Sequence, residues 1–255
     1  MRNKAETVVF ETSGGIARVT LNAPERHNSL GAKEIELLNE HFAQIDADPE
    51  LRVLVLTGTG ERTFCAGAAL DQLSSGDISA DAFANMTASL RTLRVPTLCA
   101  LNGSVYGGGC EVALSCDFRF GRDGLRAFIP AAKFGLCYPP TGIARLVTSL
   151  GLGNAQRFLL ATEEFDTSQL LQMGFLTHVP DNEPAEEAAQ RYAVHLSELA
   201  PLALRAMKEI SEQVASGGLD QKSADELVAL CGNSNDLQEG LIAAKEKRAP
   251  VFTGK

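Results

Sequence analysis

Two glycine-bearing loops contain the residues of this chain that are best suited to chemistry. Residues 64–68 (FCAGA) form the first loop, and residues 102–111 (NGSVYGGGCE) form the second. Three consecutive glycines lose much conformational entropy on folding, so such a run favours a site where a ligand approaches the bare main chain. Backbone N–H groups from the two loops could meet at one oxygen atom and form an oxyanion hole. In the alternative interpretation, the glycines only allow a helix to pack tightly on a sheet.

Glu111 follows the three glycines and is the strongest candidate for an acid–base group. Its neighbours are cysteine, valine, alanine and leucine, so the sequence predicts poor solvation of its carboxyl group. Burial raises the pKa of a carboxyl group and makes it a usable base near neutral pH. A glutamate in the first turn of a helix also interacts favourably with the helix dipole, and this purely structural role is the alternative.

Two buried strands should position these loops. Residues 53–56 (VLVL) and 97–101 (TLCAL) are continuous apolar runs of the kind that helices cover on both faces of a parallel sheet. Each glycine loop follows one of these runs. Between them, Phe83, Met86 and Leu90 recur at helical spacing. Strands and helices therefore alternate, which predicts βαβ units and an α/β fold.

The two ends of the chain differ in their periodicity. Residues 7–12 and 16–21 flank a Ser-Gly-Gly turn and predict a hairpin, and apolar residues from Ile35 to Ile45 predict the first amphipathic helix. Beyond about residue 140 the strand signals fade and helical periods dominate. We therefore expect an α/β core of residues 1–195 and a helical region of residues 196–255.

Composition excludes several classes of protein. The chain has 255 residues, with 23 Lys and Arg against 32 Asp and Glu, so its net charge is −9. Such an acidic chain is not expected to bind nucleic acid or an anionic membrane. No secretory leader or membrane-spanning run is apparent, and neither the six cysteines nor the four histidines have metal-ligand spacing. We therefore expect a cytoplasmic protein with no metal site.

Four motifs, in this order, resemble the crotonase superfamily, whose best-known member is enoyl-CoA hydratase. Residues 24–30 (PERHNSL) resemble its P-x-x-x-N-A/S-L loop, and residues 64–68 resemble its F-x-A-G-x loop. Residues 102–111 resemble N-G-x-x-x-G-G-G-C-E and are followed by the usual acidic residue, here Asp117. Residues 248–252 (RAPVF) resemble the K/R-x-P-x-F tail of the family.

The resemblance implies a crotonase-type spiral of ββα units with a helical C-terminal trimerisation region. It also implies a homotrimer or a dimer of trimers. The implied substrate is an acyl-CoA thioester, as in fatty acid metabolism. Coenzyme A is part of that substrate, so no separate cofactor is expected.

The same resemblance assigns roles to residues of the site. It makes Glu111 the catalytic residue and makes the N–H groups of Ala68 and Gly108 the donors to the thioester oxygen. Arg26 would lie near the phosphates of coenzyme A, and Phe252 and Lys255 would reach it in a neighbouring subunit; for these three, an exposed surface residue is the alternative. The residues expected to line the substrate site are Arg26, Ala66, Gly67, Gly107, Tyr138, Phe252 and Lys255.

Three positions depart from the hydratase pattern. Ala131 occupies the position of a second glutamate, and Ala69 occupies that of an aspartate. Tyr138 resembles the decarboxylase branch of the family, which acts on 2-carboxyacyl-CoA, although a buried core tyrosine is the alternative. Hydration of 2-enoyl-CoA to 3-hydroxyacyl-CoA is the leading expectation. Decarboxylation of a 2-carboxyacyl-CoA and non-catalytic binding of acyl-CoA are the alternatives.

Overall fold

The computed structural model describes residues 6–255, which form two sheets surrounded by helices. The strands are β1 (Val8–Ser13), β2 (Ile16–Leu21), β3 (Val53–Gly58), β4 (Thr63–Cys65), β5 (Thr97–Ala100), β6 (Ser104–Tyr106), β7 (Phe118–Phe120), β8 (Arg126–Phe128) and β9 (Phe165–Asp166). The helices are α1 (Ala32–Ala47), α2 (Leu70–Ser75), α3 (Ala80–Arg91), α4 (Gly108–Leu114), α5 (Pro140–Leu159), α6 (Thr167–Gln172), α7 (Ala185–Ser197), α8 (Pro201–Ala215), α9 (Gln221–Gly232) and α10 (Asn235–Glu246). Short 3₁₀ turns cover Pro24–Arg26 and Ala131–Phe134.

From β3 to β8, consecutive strands alternate between the two sheets. The first sheet has the order β1-β2-β3-β5-β7, and the second has the order β4-β6-β8-β9. Strand pairs β3/β4, β5/β6 and β7/β8 each send one strand to each sheet, and helices follow each pair. Pairing from β2 to β7 and from β4 to β8 is parallel. This repetition is the expected spiral of ββα units, so the predicted fold class is confirmed.

The central strand β3 is buried on both faces, as its continuous apolar sequence predicts. Leu54 and Leu56 belong to the main core cluster, together with residues of α1 and α3. Val53 and Val55 face the other way and pack with the alanine-rich face of α7. The strand therefore reaches the site with no solvent-exposed side, which fixes its position firmly.

The C-terminal helices leave apolar side chains exposed. On α8, only Ala206 is buried, and Met207 and Val214 are more than half exposed. Lys208 attaches this helix to the core, because its ammonium group lies 2.8 Å from the Asp117 carboxylate. The exposed side chains agree with a surface for oligomerisation. The oligomer itself, and the domain boundary near residue 195, stay predictions.

Several short elements differ from the predicted pattern. Helix α2 and the strands β4 and β6–β9 were not predicted, and β9 lies in the part of the chain expected to be helical. Strands of two or three residues are too short to show alternation. None of the helices within residues 6–255 is long and apolar enough to cross a membrane. Over the same residues, the structure contains no cluster of three or more His, Cys, Asp or Glu side chains placed to hold a metal ion.

Candidate active site

The first glycine loop is fixed by pairing with the segment before α1. The N–H group of Leu30 donates to the Gly67 carbonyl at 2.8 Å, and the Leu30 carbonyl accepts from the Ala69 N–H group at 2.9 Å. These bonds hold the backbone on both sides of Ala68. Within residues 6–255, the Ala68 N–H group itself has no acceptor, so it is free to bind a ligand oxygen.

The second glycine loop leads directly into α4. The Gly107 N–H group donates to the Phe128 carbonyl at 3.0 Å, and its φ of +52° turns the chain into the helix. A Cβ atom on Gly107 would lie 3.6 Å from the Ala66 carbonyl oxygen, so this residue faces the first loop. Gly108 is the first residue of α4, and its N–H group has no acceptor in the part of the chain that the structure describes. Such a group at a helix start is suited to binding a negative oxygen.

The two loops touch through their backbones. A Cβ atom on Gly67 would overlap the Gly108 nitrogen and would lie 2.9 Å from the Gly108 Cα atom. A Cβ atom on Gly109 would come within 2.8 Å of the Cys65 carbonyl carbon. Because Ala68 follows Gly67 directly, the two unpaired N–H groups belong to adjoining backbone segments. This arrangement is suited to an oxyanion hole.

Glu111 lies in the first turn of α4 with its side chain almost fully enclosed. Only 2% of the residue is exposed, as its apolar neighbours predict. Its Oε1 atom accepts a hydrogen bond of 2.9 Å from the Thr87 hydroxyl on α3. Burial raises the pKa of this carboxyl group, whereas Thr87, the positive charge of Arg145 and the Tyr138 hydroxyl act in the opposite direction. A raised pKa suits a group that must both accept and return a proton.

Tyr138 is buried beside Glu111. Its hydroxyl donates a long hydrogen bond of 3.4 Å to the Gly107 carbonyl. Burial, followed by the negative charge of Glu111, raises the pKa of this hydroxyl well above its ordinary value. A Cβ atom on Gly142 would collide with the Tyr138 ring and lie 2.6 Å from Glu111 Oε2. Because Gly142 has no side chain, the Tyr138 ring and the Glu111 carboxyl group can both lie against its Cα atom.

Arg145 connects the helices around Glu111. It is buried on α5, and its Nη1 atom donates to the Thr87 carbonyl at 3.1 Å and to the Ser115 hydroxyl. The Ser115 hydroxyl donates in turn to the Glu111 carbonyl at 2.6 Å. Burial lowers the pKa of the Arg145 guanidinium. These hydrogen bonds therefore connect α3, α4 and α5 next to Glu111.

The sequence patterns do not predict four further residues around Glu111: Thr87, Ser115, Gly142 and Arg145. Thr87 lies on the apolar face of α3, four residues after Phe83 and three before Leu90. A hydroxyl group within such an apolar face indicates a buried polar residue that needs a hydrogen-bond partner, and this feature can be recognised from the sequence. The partner of that hydroxyl depends on how α3 packs against α4, which the local sequence does not encode.

Two alanines, Ala131 and Ala69, occupy the positions at which the hydratase pattern has acids. Ala131 begins the 3₁₀ turn Ala131–Phe134 and packs partly buried against the main core. Ala69 is buried just before α2. Among the described residues, the groups that shift the pKa of Glu111 include no second carboxylate. Within the described residues, Glu111 is therefore the one acidic group that this structure places beside the glycine loops with a raised pKa.

Arg26 is held by an ion pair at the edge of the first loop. Its Nη2 atom lies 2.7 Å from the buried Glu34 carboxylate, and about a third of its side chain is exposed. The pKa of Glu34 is lowered: burial, the largest influence, opposes this, but the Arg26 guanidinium and the hydrogen bond from the Gly31 N–H group act in the lowering direction. A contact of Arg26 with coenzyme A stays a prediction.

Phe252 and Lys255 lie on the C-terminal helical region. The Phe252 ring packs near Gly240 of α10, and its carbonyl accepts from Arg52 at 2.9 Å. The Lys255 carbonyl accepts from the Asn235 N–H group at 2.7 Å. Within the described part of one chain, these contacts do not involve the two glycine loops. Their expected contribution to a neighbouring subunit stays a prediction.

Known proteins are similar to this chain in sequence and in fold. Residues 11–255 match the family model described as enoyl-CoA hydratase/isomerase. Carnitinyl-CoA dehydratase from Citrobacter koseri is 32% identical over 98% of this chain and 100% of its own length. The 2,3-dehydroadipyl-CoA hydratase of Escherichia coli K12 is also 32% identical, over 93% of this chain and 94% of its own.

A solved structure agrees with this assignment. The enoyl-CoA hydratase from Bacillus anthracis superimposes with a TM-score of 0.87 at 26% identity, covering 98% of this chain and 100% of that chain. The family match covers nearly the whole chain, and the expected ββα spiral is present. The chain therefore belongs to the enoyl-CoA hydratase/isomerase family of the crotonase superfamily.

Proposed function

We propose that this protein adds water to a 2-enoyl-CoA and releases a 3-hydroxyacyl-CoA. The observation that carries the proposal is one buried carboxyl group, Glu111, in the same helical turn as the unpaired N–H group of Gly108. A base and an oxyanion donor side by side are what formation of a thioester enolate requires.

The oxyanion donors stabilise the charge that develops on the thioester oxygen. In the proposed complex, this oxygen accepts hydrogen bonds from the N–H groups of Ala68 and Gly108. Each donor of this kind contributes about 10²–10³ in rate. Both groups are fixed by the backbone of their loops, so little reorganisation is needed when the enolate forms.

Glu111 carries the proton between water and substrate. Its carboxylate takes a proton from water as the water oxygen bonds to C3 of the enoyl group, and the π electrons move to give the enolate. The protonated Glu111 then delivers that proton to C2, and the enolate collapses to the thioester. One water is added, and the Glu111 carboxylate is restored. A single acid therefore suffices in principle, although it must perform both steps.

The relatives support this choice of reaction. Their names, dehydratase and hydratase, denote removal and addition of water on CoA thioesters. The chains are similar over almost their full lengths, so the two loops and α4 fall within the compared region. We therefore place hydration ahead of the other reactions of the family.

Decarboxylation of a 2-carboxyacyl-CoA is the second candidate, and the position of Tyr138 favours it. Loss of CO₂ leaves the enolate directly, so that step requires no base. The Tyr138 hydroxyl, buried next to Glu111, could orient the departing carboxylate. The protein would then use the same oxyanion donors, with an acid to protonate C2.

Binding of coenzyme A is proposed to involve more than one subunit. In this arrangement, Arg26 lies near the phosphates, while Phe252 and Lys255 come from a neighbouring chain of a homotrimer or a dimer of trimers. Exposed apolar residues on α8–α10 support such an assembly. Sedimentation at micromolar concentration should show the oligomer, and a monomer would contradict it.

A panel of thioesters tests the proposed reaction. Enoyl-CoA and 2-carboxyacyl-CoA substrates of several chain lengths are incubated with the protein, and the products are identified by mass spectrometry. The proposal predicts 3-hydroxyacyl-CoA from an enoyl-CoA, and loss of CO₂ would favour the second candidate. If no thioester reacts but acyl-CoA still raises the melting temperature, the protein is a binder without this activity.

A further inference from the structure

The Thr87 side chain donates a hydrogen bond to the Glu111 carboxyl group. It is completely buried on α3, and its Oγ1 atom lies 2.9 Å from Glu111 Oε1. The same hydroxyl lies 3.0 Å from the Ala84 carbonyl, which is a second possible acceptor. A hydroxyl has one proton to donate. Because an ionised carboxylate is the stronger acceptor, the bond to Oε1 is favoured when Glu111 is charged.

The two carboxyl oxygens therefore differ in their surroundings. Oε1 is engaged by Thr87, whereas Oε2 lies against Gly142 and close to the Tyr138 ring. We propose that Thr87 is a positioning residue that holds Oε1 of Glu111 and leaves Oε2 as the oxygen that exchanges protons with water and substrate. The inference rests on the proposed function, because it assumes that Glu111 is the acid–base group.

The backbone of Thr87 is fixed by a hydrogen bond from Arg145. Arg145 donates to the Thr87 carbonyl at 3.1 Å and to the Ser115 hydroxyl, which donates to the Glu111 carbonyl. The Arg145 guanidinium is thus connected to both Thr87 and Glu111, directly to the first and through Ser115 to the second. The backbone at Thr87 is therefore held in a defined position relative to the backbone at Glu111.

Other charged and titratable groups also face this site. Arg145 on α5 and Tyr138, just before α5, act on Glu111 directly. Cys110, on the same helix as Glu111, acts on Tyr138. The charges that act on Arg145 from α3 and α8 are Arg91 and Glu212. None of these groups is altered by a substitution of Thr87, so such a substitution isolates the hydroxyl.

A site with a single acid depends strongly on this hydroxyl. Glu111 must be ionised to take a proton from water, yet its burial favours the neutral form. A hydrogen bond donated to the charged form lowers the pKa and opposes that effect. The Thr87 hydroxyl therefore keeps the base available at neutral pH and also fixes the direction of Oε2.

Substitution of Thr87 by valine and by serine tests the proposal. Thr87→Val keeps the shape and removes the hydroxyl, whereas Thr87→Ser keeps the hydroxyl. With crotonyl-CoA as the probe, we expect kcat/KM to fall about 10- to 100-fold in Thr87→Val, mainly through kcat, because a hydrogen bond to a charged group is lost. The acid limb of the pH profile should move to higher pH. Thr87→Ser should restore most of both changes.

A measurement that needs no substrate separates this proposal from the proposed function. The Glu111 carboxyl carbon is titrated by NMR in glutamate-labelled protein, with Glu111→Gln to assign the signal. Thr87→Val and Thr87→Ala should both raise the Glu111 pKa, and Thr87→Ser should not. An unchanged pKa in both hydroxyl-free variants would overturn the role of Thr87. Absence of any hydration by the wild type would instead refute the proposed function.

Discussion

Gly67 lies directly against the backbone of Gly108. A side chain on Gly67 would overlap the Gly108 nitrogen, and its φ of +82° is a conformation that L side chains rarely adopt. Only glycine therefore allows the two loops to approach this closely. The contact brings together the backbone segments that contain the unpaired N–H groups of Ala68 and Gly108.

Gly67→Ala should separate these loops and displace the oxyanion donors. We expect kcat on a 2-enoyl-CoA to fall by about 10²-fold or more, the loss typical of one donor. The matched control is Gly76→Ala. Gly76 has nearly the same φ, +83°, but a Cβ atom there has nothing within 4 Å. Equal losses in both variants would show that backbone strain, rather than loop contact, is responsible.

Glu111→Gln should change the pH dependence of stability as well as activity. The pKa of Glu111 is raised above its ordinary value of 4.5 in the folded protein, chiefly by burial. The neutral carboxyl group is thus favoured by folding, and its contribution is lost as pH rises through the folded pKa. Glutamine cannot ionise. We therefore expect the melting temperature of Glu111→Gln, relative to wild type, to increase between pH 5 and pH 8.

Differential scanning calorimetry of both proteins across this pH range checks the expected increase. For a chain of this length, each kcal/mol corresponds to about 2–4 °C in melting temperature. Taking the difference between the two proteins removes the contribution of the other titrating groups. A difference that stays constant with pH would contradict the assigned direction of the pKa shift.

Tyr138→Phe distinguishes the two candidate reactions. The Tyr138 hydroxyl makes a long hydrogen bond of 3.4 Å to the Gly107 carbonyl, and a neutral bond contributes about 0.5–1.5 kcal/mol. If the protein is a hydratase, activity should stay within about tenfold of wild type. Tyr192→Phe on α7 is the control for loss of a tyrosine hydroxyl outside the site. A fall of several hundredfold, with unchanged circular dichroism, would favour decarboxylation.

Ala131→Glu tests whether a second acid can be restored. Ala131 is partly buried at the start of its 3₁₀ turn, where the hydratase pattern has glutamate. We expect hydration to increase by at least about threefold, because positioned acid–base groups contribute up to about 10²–10⁴ in rate. Ala132→Glu, at the exposed neighbouring position, adds the same charge outside the site. A gain in Ala132→Glu alone, or in neither variant, would favour a different reaction.

Local patterns predicted the elements that are long enough to show them. The hairpin of β1 and β2, helix α1 and strands β3 and β5 were expected from turn chemistry and apolar periodicity, and all are present. The burial of Glu111 followed from its apolar neighbours. These features depend mainly on residues close in sequence, so the sequence alone was enough to identify them.

The surroundings of Glu111 could not be predicted in the same way. Thr87 and Arg145 reach the site from α3 and α5, 24 and 34 residues away in the chain. Whether a buried hydroxyl or guanidinium finds a partner depends on how these helices pack. The short strands β6 and β8 could not be predicted from local sequence either. Each has three residues, too few to show a periodic pattern, and each forms because a neighbouring strand pairs with it.

Isotope incorporation from the solvent is the sharpest test of whether Glu111 transfers protons during hydration. Crotonyl-CoA is incubated in D₂O enriched in ¹⁸O, with wild type and with Glu111→Gln, and the CoA thioesters are analysed by mass spectrometry. We expect wild type to form 3-hydroxyacyl-CoA with ¹⁸O on C3 and deuterium on C2, and Glu111→Gln to be about 10²–10⁴-fold slower. Unlabelled crotonyl-CoA recovered from wild type, or equal rates in both proteins, would contradict this expectation.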